Sequence, residues 1–237
     1  MGQPVRSLRG AQPPAPAQTG APRRKSVLRE YVEALLVALG LALFIRTFVI
    51  QAYEIPSGSM EPTLLVGDHI LVNKLIFGLR MPDSIFGLHP PGLPYGRYLL
   101  HFESVHRGDV VVFVFPVDPT KDFIKRVIGL AGDTVEVRNG AVYLNGARMP
   151  DPHAHYELDA REHTTLSPRD NFGPVKVPAG KAFMMGDNRD RSYDSRFWGF
   201  VDQDQVEGRA VIIYWSWDTD TPGMFRMRWE RFGTLVR

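Results

Sequence analysis

Cysteine is missing from all 237 residues. That excludes disulfides, thiolate metal sites and a cysteine nucleophile. It does not fix a compartment, because an oxidising compartment permits disulfides without requiring them. A basic excess is missing from most of the chain as well. The overall +2 arises because residues 1–30 hold six basic side chains (Arg6, Arg9, Arg23, Arg24, Lys25, Arg29) and one acid, Glu30. The other 22 basic and 25 acidic residues give −3. A nucleic-acid surface needs a basic patch on the folded part, so no nucleic-acid partner is expected. Asp68-His69 has no second ligand pair at a metal-binding spacing, and neither a metal nor a cofactor is expected. Past residue 50 there is no helical period of useful length.

What is present falls into three parts. Residues 1–30 open with a Pro-, Ala-, Gln- and Gly-rich stretch. Such a stretch cannot bury enough apolar surface to offset its ordering entropy, so a flexible basic tail is expected. Next comes YVEALLVALGLALFIRTFVI, residues 31–50. Its uncharged centre, Ala34 to Ile45, is short for a membrane core of ~30 Å. The whole stretch suffices if Glu33 sits at one interface and Arg46 snorkels to the other. A buried helix of a soluble core is the other reading of these residues. The basic cluster before the segment favours a membrane anchor with its N-terminus in the cytoplasm and the rest extracytoplasmic. A cleaved leader fits poorly. Arg46 interrupts the apolar run, and a cut after Ala52 would place Ile50, not a small residue, at the third position back.

From residue 51 to 237 the pattern is that of strands. DHILVNKLI, DVVVFVFP, DFIKRVIG, VKVPAGKAFMMGDN and RAVIIYWSWD are rich in β-branched and aromatic residues. DTVEVRN and AVYLNG flank Asn139-Gly140, a hairpin signal. The fold class expected is a mostly β, antiparallel domain behind a single apolar helix. Residues 77–108 and 150–174 read as loops.

Three stretches carry candidate chemistry. IPSGSMEPTL holds Ser57 and Ser59 around Gly58, which in isolation is a turn. A nucleophilic serine needs a neighbouring base, and none of the seven histidines stands in an obvious catalytic frame. In DFIKRVIG, strand alternation puts Phe123, Lys125 and Val127 on one face. A lysine on an apolar face loses its proton more easily, and a neutral amine can act as a general base. An ordinary strand charge is the alternative. GDNRDRSYDSRFWGF reads either as a long polar loop or as a hydrogen-bonded shell around a site, in which Ser192 orients an amine and Asp194 pairs with Arg196.

Together these stretches resemble the bacterial type I signal peptidases, membrane-anchored serine proteases that remove signal peptides from exported proteins. The matching pieces occur in the family's order: an N-terminal anchor, RTFVIQAYEIPSGSMEPTLLVGDHILVNK, RGDVVVFVFP, DFIKRVIGLAGD and GDNRDRSYDSRFWGFV. They cover most of the chain from Arg46 to Val201. The resemblance implies an antiparallel β-sheet or barrel-like catalytic domain and a Ser/Lys dyad, with Ser59 as nucleophile and Lys125 as general base. It implies an oxyanion hole from the Ser57 hydroxyl and the Ser59 amide. Ser192 would hydrogen-bond the lysine amine, and Asp194 with Arg196 would brace the site. Tyr53, Ile55, Leu64, Ile70, Phe123 and Ile124 fall where the family builds its substrate pockets. The partners implied are preprotein signal peptides, cut after a small-x-small motif, and the lipid bilayer. Many members carry two anchors; one is found here. The interval between the IKR and GDN stretches is short for the family's larger members, so a small β insertion over 134–185 is expected. Two other readings stay open: a self-cleaving repressor-type Ser/Lys protease, and a membrane-tethered β module that binds peptides without cutting them.

Overall fold

The computed structural model describes residues 27–82, 96–157, 167–218 and 226–237. Most of the expected tail therefore lies outside the described residues, as do residues 83–95 of the first expected loop and 158–166 of the second. Helix α1 (Val27–Phe48) has 22 residues and no buried side chain. At 1.5 Å per residue it is about 33 Å long, enough to cross a hydrocarbon core. Glu30 in its first turn and Arg46 in its last both suit the helix dipole. It starts four residues before the expected anchor and ends at Phe48, because Ile50 already pairs in a strand.

The strands after it run β1 (Ile50–Glu54), β2 (Asp68–Asn73), β3 (Gly78–Arg80), β4 (Tyr98–His101), β5 (Val110–Val114), β6 (Asp122–Leu130), β7 (Thr134–Arg138), β8 (Ala141–Leu144), β9 (Ala147–Arg148), β10 (Phe172–Lys176) and β11 (Lys181–Met185). A single turn, α2 (Ser195–Trp198), precedes β12 (Val201–Asp202), β13 (Val206–Asp218), β14 (Arg226–Met227) and β15 (Thr234–Leu235). The main sheet has the order β1-β2-β13-β5-β6-β11-β12, with β14 and β15 also on β13. Its ladders are antiparallel. Register shifts on β13 at Val206/Gly208, Ala210/Ile212 and Ile213/Trp215 curl it into a half-barrel. The mostly β, antiparallel expectation holds.

Sequence pattern and burial agree strand by strand. All five residues of β5 are buried, as its unbroken apolar run requires. In β2, Asp68, Ile70 and Val72 are buried and the residues between them are not, a period of two. β7 and β8 turn at Asn139-Gly140 with φ of 48° and 79°, the left-handed pair a two-residue hairpin demands. A smaller sheet, β10-β7-β8-β9, forms within the expected insertion, whereas β11 belongs to the main sheet. Three apolar clusters result among the described residues. One holds Ile55, Met60, Leu64, Ile70, Val112 and Ile213. A second holds Val111, Phe113, Val127 and Met184. The third joins Val135, Val137 and Val142 to Ile128 and Phe183, tying the small sheet to the large one. Each fully buried Val, Ile or Phe in these clusters contributes roughly 1.5–3 kcal/mol of transfer free energy.

Two expectations change. Residues 77–108 are not all loop: β3 and β4 pair from Gly78↔His101 to Arg80↔Tyr98. Their dense glycines and prolines hide two short strands. Residues 150–174 end in a strand, since Phe172 already pairs with Val137 of β7.

Candidate active site

Ser59 sits in a 3-10 turn, Gly58–Met60, just after β1. Met60 is wholly buried in the first cluster and fixes the turn from below. Lys125 lies on β6 opposite Val111. Its Nζ donates to Ser59 Oγ at 2.7 Å and to the Ile124 carbonyl at 2.9 Å. Only 4% of Lys125 is exposed. Burial lowers the amine from its ordinary 10.5 to about 8, opposed by the negative charges of Asp194 and Asp187. The Phe123 ring supplies part of the apolar cover, 5.5 Å from Nζ.

The GDN stretch closes over this pair. Asn188 N–H donates to the Ser59 carbonyl at 3.2 Å. Gly186 N–H donates to Ser192 Oγ and to Asp194 Oδ2, both at 3.1 Å. Gly186 has no room for a side chain: a Cβ there would stand 2.3 Å from the Ser59 carbonyl oxygen and 2.4 Å from Ser192 Oγ. Asp194 caps α2 through the Arg196 amide and pairs with the Arg196 guanidinium at 2.8 Å. Burial pushes the Asp194 carboxyl up. The Arg196 charge, with hydrogen bonds from Arg196, Ser192 and Gly186, outweighs it and leaves the group below its ordinary value. Asp194 is therefore an anion with its partner in place.

Ser192 and Lys125, expected to bond each other, have other hydrogen-bond partners in the structure. The Ser192 hydroxyl accepts from Gly186 and bonds Asp194, while Lys125 bonds Ser59 and Ile124. A hydroxyl has one hydrogen, and an ionised carboxylate is the stronger acceptor. Ser57 is exposed, with extended backbone, and its hydroxyl does not cap the turn. Among the apolar positions, Tyr53, Phe123 and Ile124 are half-buried and offer surface. Ile55 is 2% exposed, and Leu64 and Ile70 have no exposed surface, so these three underlie the site rather than line it.

One brace escaped the sequence reading. Arg126, next to the lysine but on the other face of β6, grips Asp187 with Nε and Nη2 at 2.7 and 2.6 Å. Thr63 Oγ1 donates to the same carboxylate at 2.5 Å. Arg126 also donates to the Gly108 and Arg237 carbonyls. His155 N–H donates to the Asp187 carbonyl, tying in the 150–174 stretch. The signal was available: an arginine on a strand buried on both faces requires a carboxylate partner. The geometry as a whole is a serine hydroxyl beside an easily deprotonated amine, with the half-buried Phe123 ring next to the amine. It suits attack on a carbonyl.

The family model for signal peptidase, peptidase S26, matches residues 28–215. The signal peptidase I of Leptolyngbya laminosa is 38% identical over 212 residues, covering 86% of this chain and 87% of its own length. That of Pseudomonas fluorescens is 34% identical over 223 residues, covering 82% and 75% respectively. A crystal structure of a signal peptidase I from Enterococcus faecalis V583 shares 34% identity, covers 45% of this chain and 97% of its own, and has a TM-score of 0.37.

Proposed function

The chain belongs to the signal peptidase, peptidase S26, family, and on that premise we propose how it cuts and what it recognises. It is a signal peptidase I, a signal-peptide-cleaving serine hydrolase. Ser59 is the nucleophile and Lys125 the general base. The observation that carries this is the 2.7 Å contact between Ser59 Oγ and a buried amine held at about 8.

In its neutral form Lys125 receives the Ser59 proton as Oγ attacks the scissile carbonyl. The Ser57 hydroxyl and Ser59 amide hold the oxyanion, where one donor is worth ~10²–10³ in rate. The leaving amine takes the proton back from Lys125, and the signal peptide stays esterified to Ser59. Water, deprotonated by Lys125, then releases it. The substrate lies extended near Tyr53 and Phe123 as an added strand. Its last and third-last side chains meet a shallow surface made by Tyr53, Phe123 and Ile124, which supports a small-x-small rule.

Helix α1 is the anchor and the bilayer a partner. The basic tail stays in the cytoplasm, and the β domain is extracytoplasmic. Ser59 follows Phe48 by eleven residues, at most about 40 Å of chain. The nucleophile is thus tethered near the membrane in which its substrate is embedded.

Cleavage of a preprotein in detergent by the unmodified protein, Ser59→Ala and Lys125→Ala tests the dyad. Both variants should melt as folded proteins and lose cleavage. Retained activity in either would remove that residue from the mechanism.

A further inference from the structure

Tyr53 reaches across the sheet face from the edge strand β1 to the start of β13. Its phenol O–H donates to Glu207 Oε2. The other carboxylate oxygen of Glu207 accepts from Arg80 Nη1 at 3.2 Å. Arg80 also donates to the Asp204 carbonyl at 3.3 Å. The Arg80 and Glu207 side chains are only 2% and 6% exposed. A buried ion pair is a poor source of stability, so this one calls for another role.

Tyr53 supplies it. Tyr53 and Ile124 are both partly buried and pack on the cluster that contains Ile55 and Met60. Alternate residues of an extended peptide share a face, about 7 Å apart. On the reading above, a peptide with its scissile carbonyl at Ser59 lays its third-last side chain on the surface of Tyr53 and Ile124. The depth of that surface is set by where the Tyr53 ring lies. A ring bonded to a carboxylate is held by a charge-assisted hydrogen bond, about twice as strong as a neutral one.

We propose that Glu207, held in turn by Arg80, is a specificity-determining positioning residue that pins the Tyr53 ring and keeps the subsite for the third-last residue shallow. A larger side chain fits only if the ring moves, and moving it breaks the bond to Glu207. The inference rests on the peptidase reading above.

The test uses the full chain in detergent and three peptides identical except for Ala, Val or Leu at the third-last position. The unmodified protein should favour Ala over Leu. Tyr53→Phe keeps the ring and removes the O–H. It should shrink the Ala/Leu ratio of kcat/KM roughly tenfold or more, with the change appearing in KM for the Leu peptide. Glu207→Gln keeps an acceptor for the phenol but not the charge, and should lose less of the ratio than Tyr53→Phe does. Glu207→Leu should lose it, and is read beside its melting curve because it removes a buried carboxylate that pairs with Arg80. An unchanged ratio in folded Tyr53→Phe overturns the proposal while leaving the peptidase reading intact. Failure of the unmodified protein to cut the Ala peptide would overturn both.

Discussion

The buried lysine predicts a pH profile whose position is set by the fold. Lys125 has an amine at about 8, where an ordinary lysine has 10.5. At pH 7.5 roughly a quarter of such amines are neutral, against roughly one in a thousand for the ordinary group. The difference corresponds to about 3 kcal/mol. The perturbation is a pH series from 6 to 10, and the assay is kcat/KM on a peptide with a small-x-small site. Activity should rise about tenfold per pH unit below pH 7, reach half its maximum near pH 8 and level off above pH 9. Asp194 raises the lysine, so Asp194→Asn should move the midpoint to lower pH in whatever activity remains. Stability follows with a definite sign. The unfolded chain binds more protons than the folded one between about pH 8 and 10.5, so resistance to unfolding should increase across that window. A midpoint near 6.5, the reference value for histidine, would refute the lysine base. A midpoint near 10.5 would refute its burial.

Three more outcomes follow from the structure. Ser57→Ala should lower kcat by ~10²–10³ with little change in KM, because the hydroxyl acts on charge that develops only in the transition state; an unchanged kcat in steady-state peptide cleavage would remove Ser57 from the oxyanion hole. Asp187→Ala strands the buried Arg126 guanidinium and should cost about 3–5 kcal/mol in urea unfolding. Lys181→Ala, which breaks the exposed pair with Asp202, should cost about 1 kcal/mol or less.

The strands with strong local patterns were legible before any coordinates. β5 is an unbroken β-branched run, and β7–β8 carry an Asn-Gly turn between alternating residues. What sequence pattern could not supply was partnership across distance. Ser59 and Lys125 are 66 positions apart and touch because the Gly58–Met60 turn packs against β6. The family's motif order pointed to them; hydrophobic periodicity alone left Lys125 open between base and strand charge. Arg126–Asp187 and Tyr53–Glu207 were missed for the same reason. Each partner looks like an ordinary polar residue until the other is seen. β3 and β4 were missed because strands of three or four residues among glycines and prolines leave too short a pattern to read.

The order of the sheet bears on when the enzyme becomes active. Strand β13 lies between β2 and β5 in space, yet it is residues 206–218 of the chain. During synthesis the half bearing the serine and the half bearing the lysine have no common strand until it is made. The contacts it makes reach far back along the chain, and such contacts form slowly. On the proposed mechanism, Ser59 gains its base only once β13 has joined the two halves. On that mechanism the topology orders events: the dyad completes only after the strand at residues 206–218 is made.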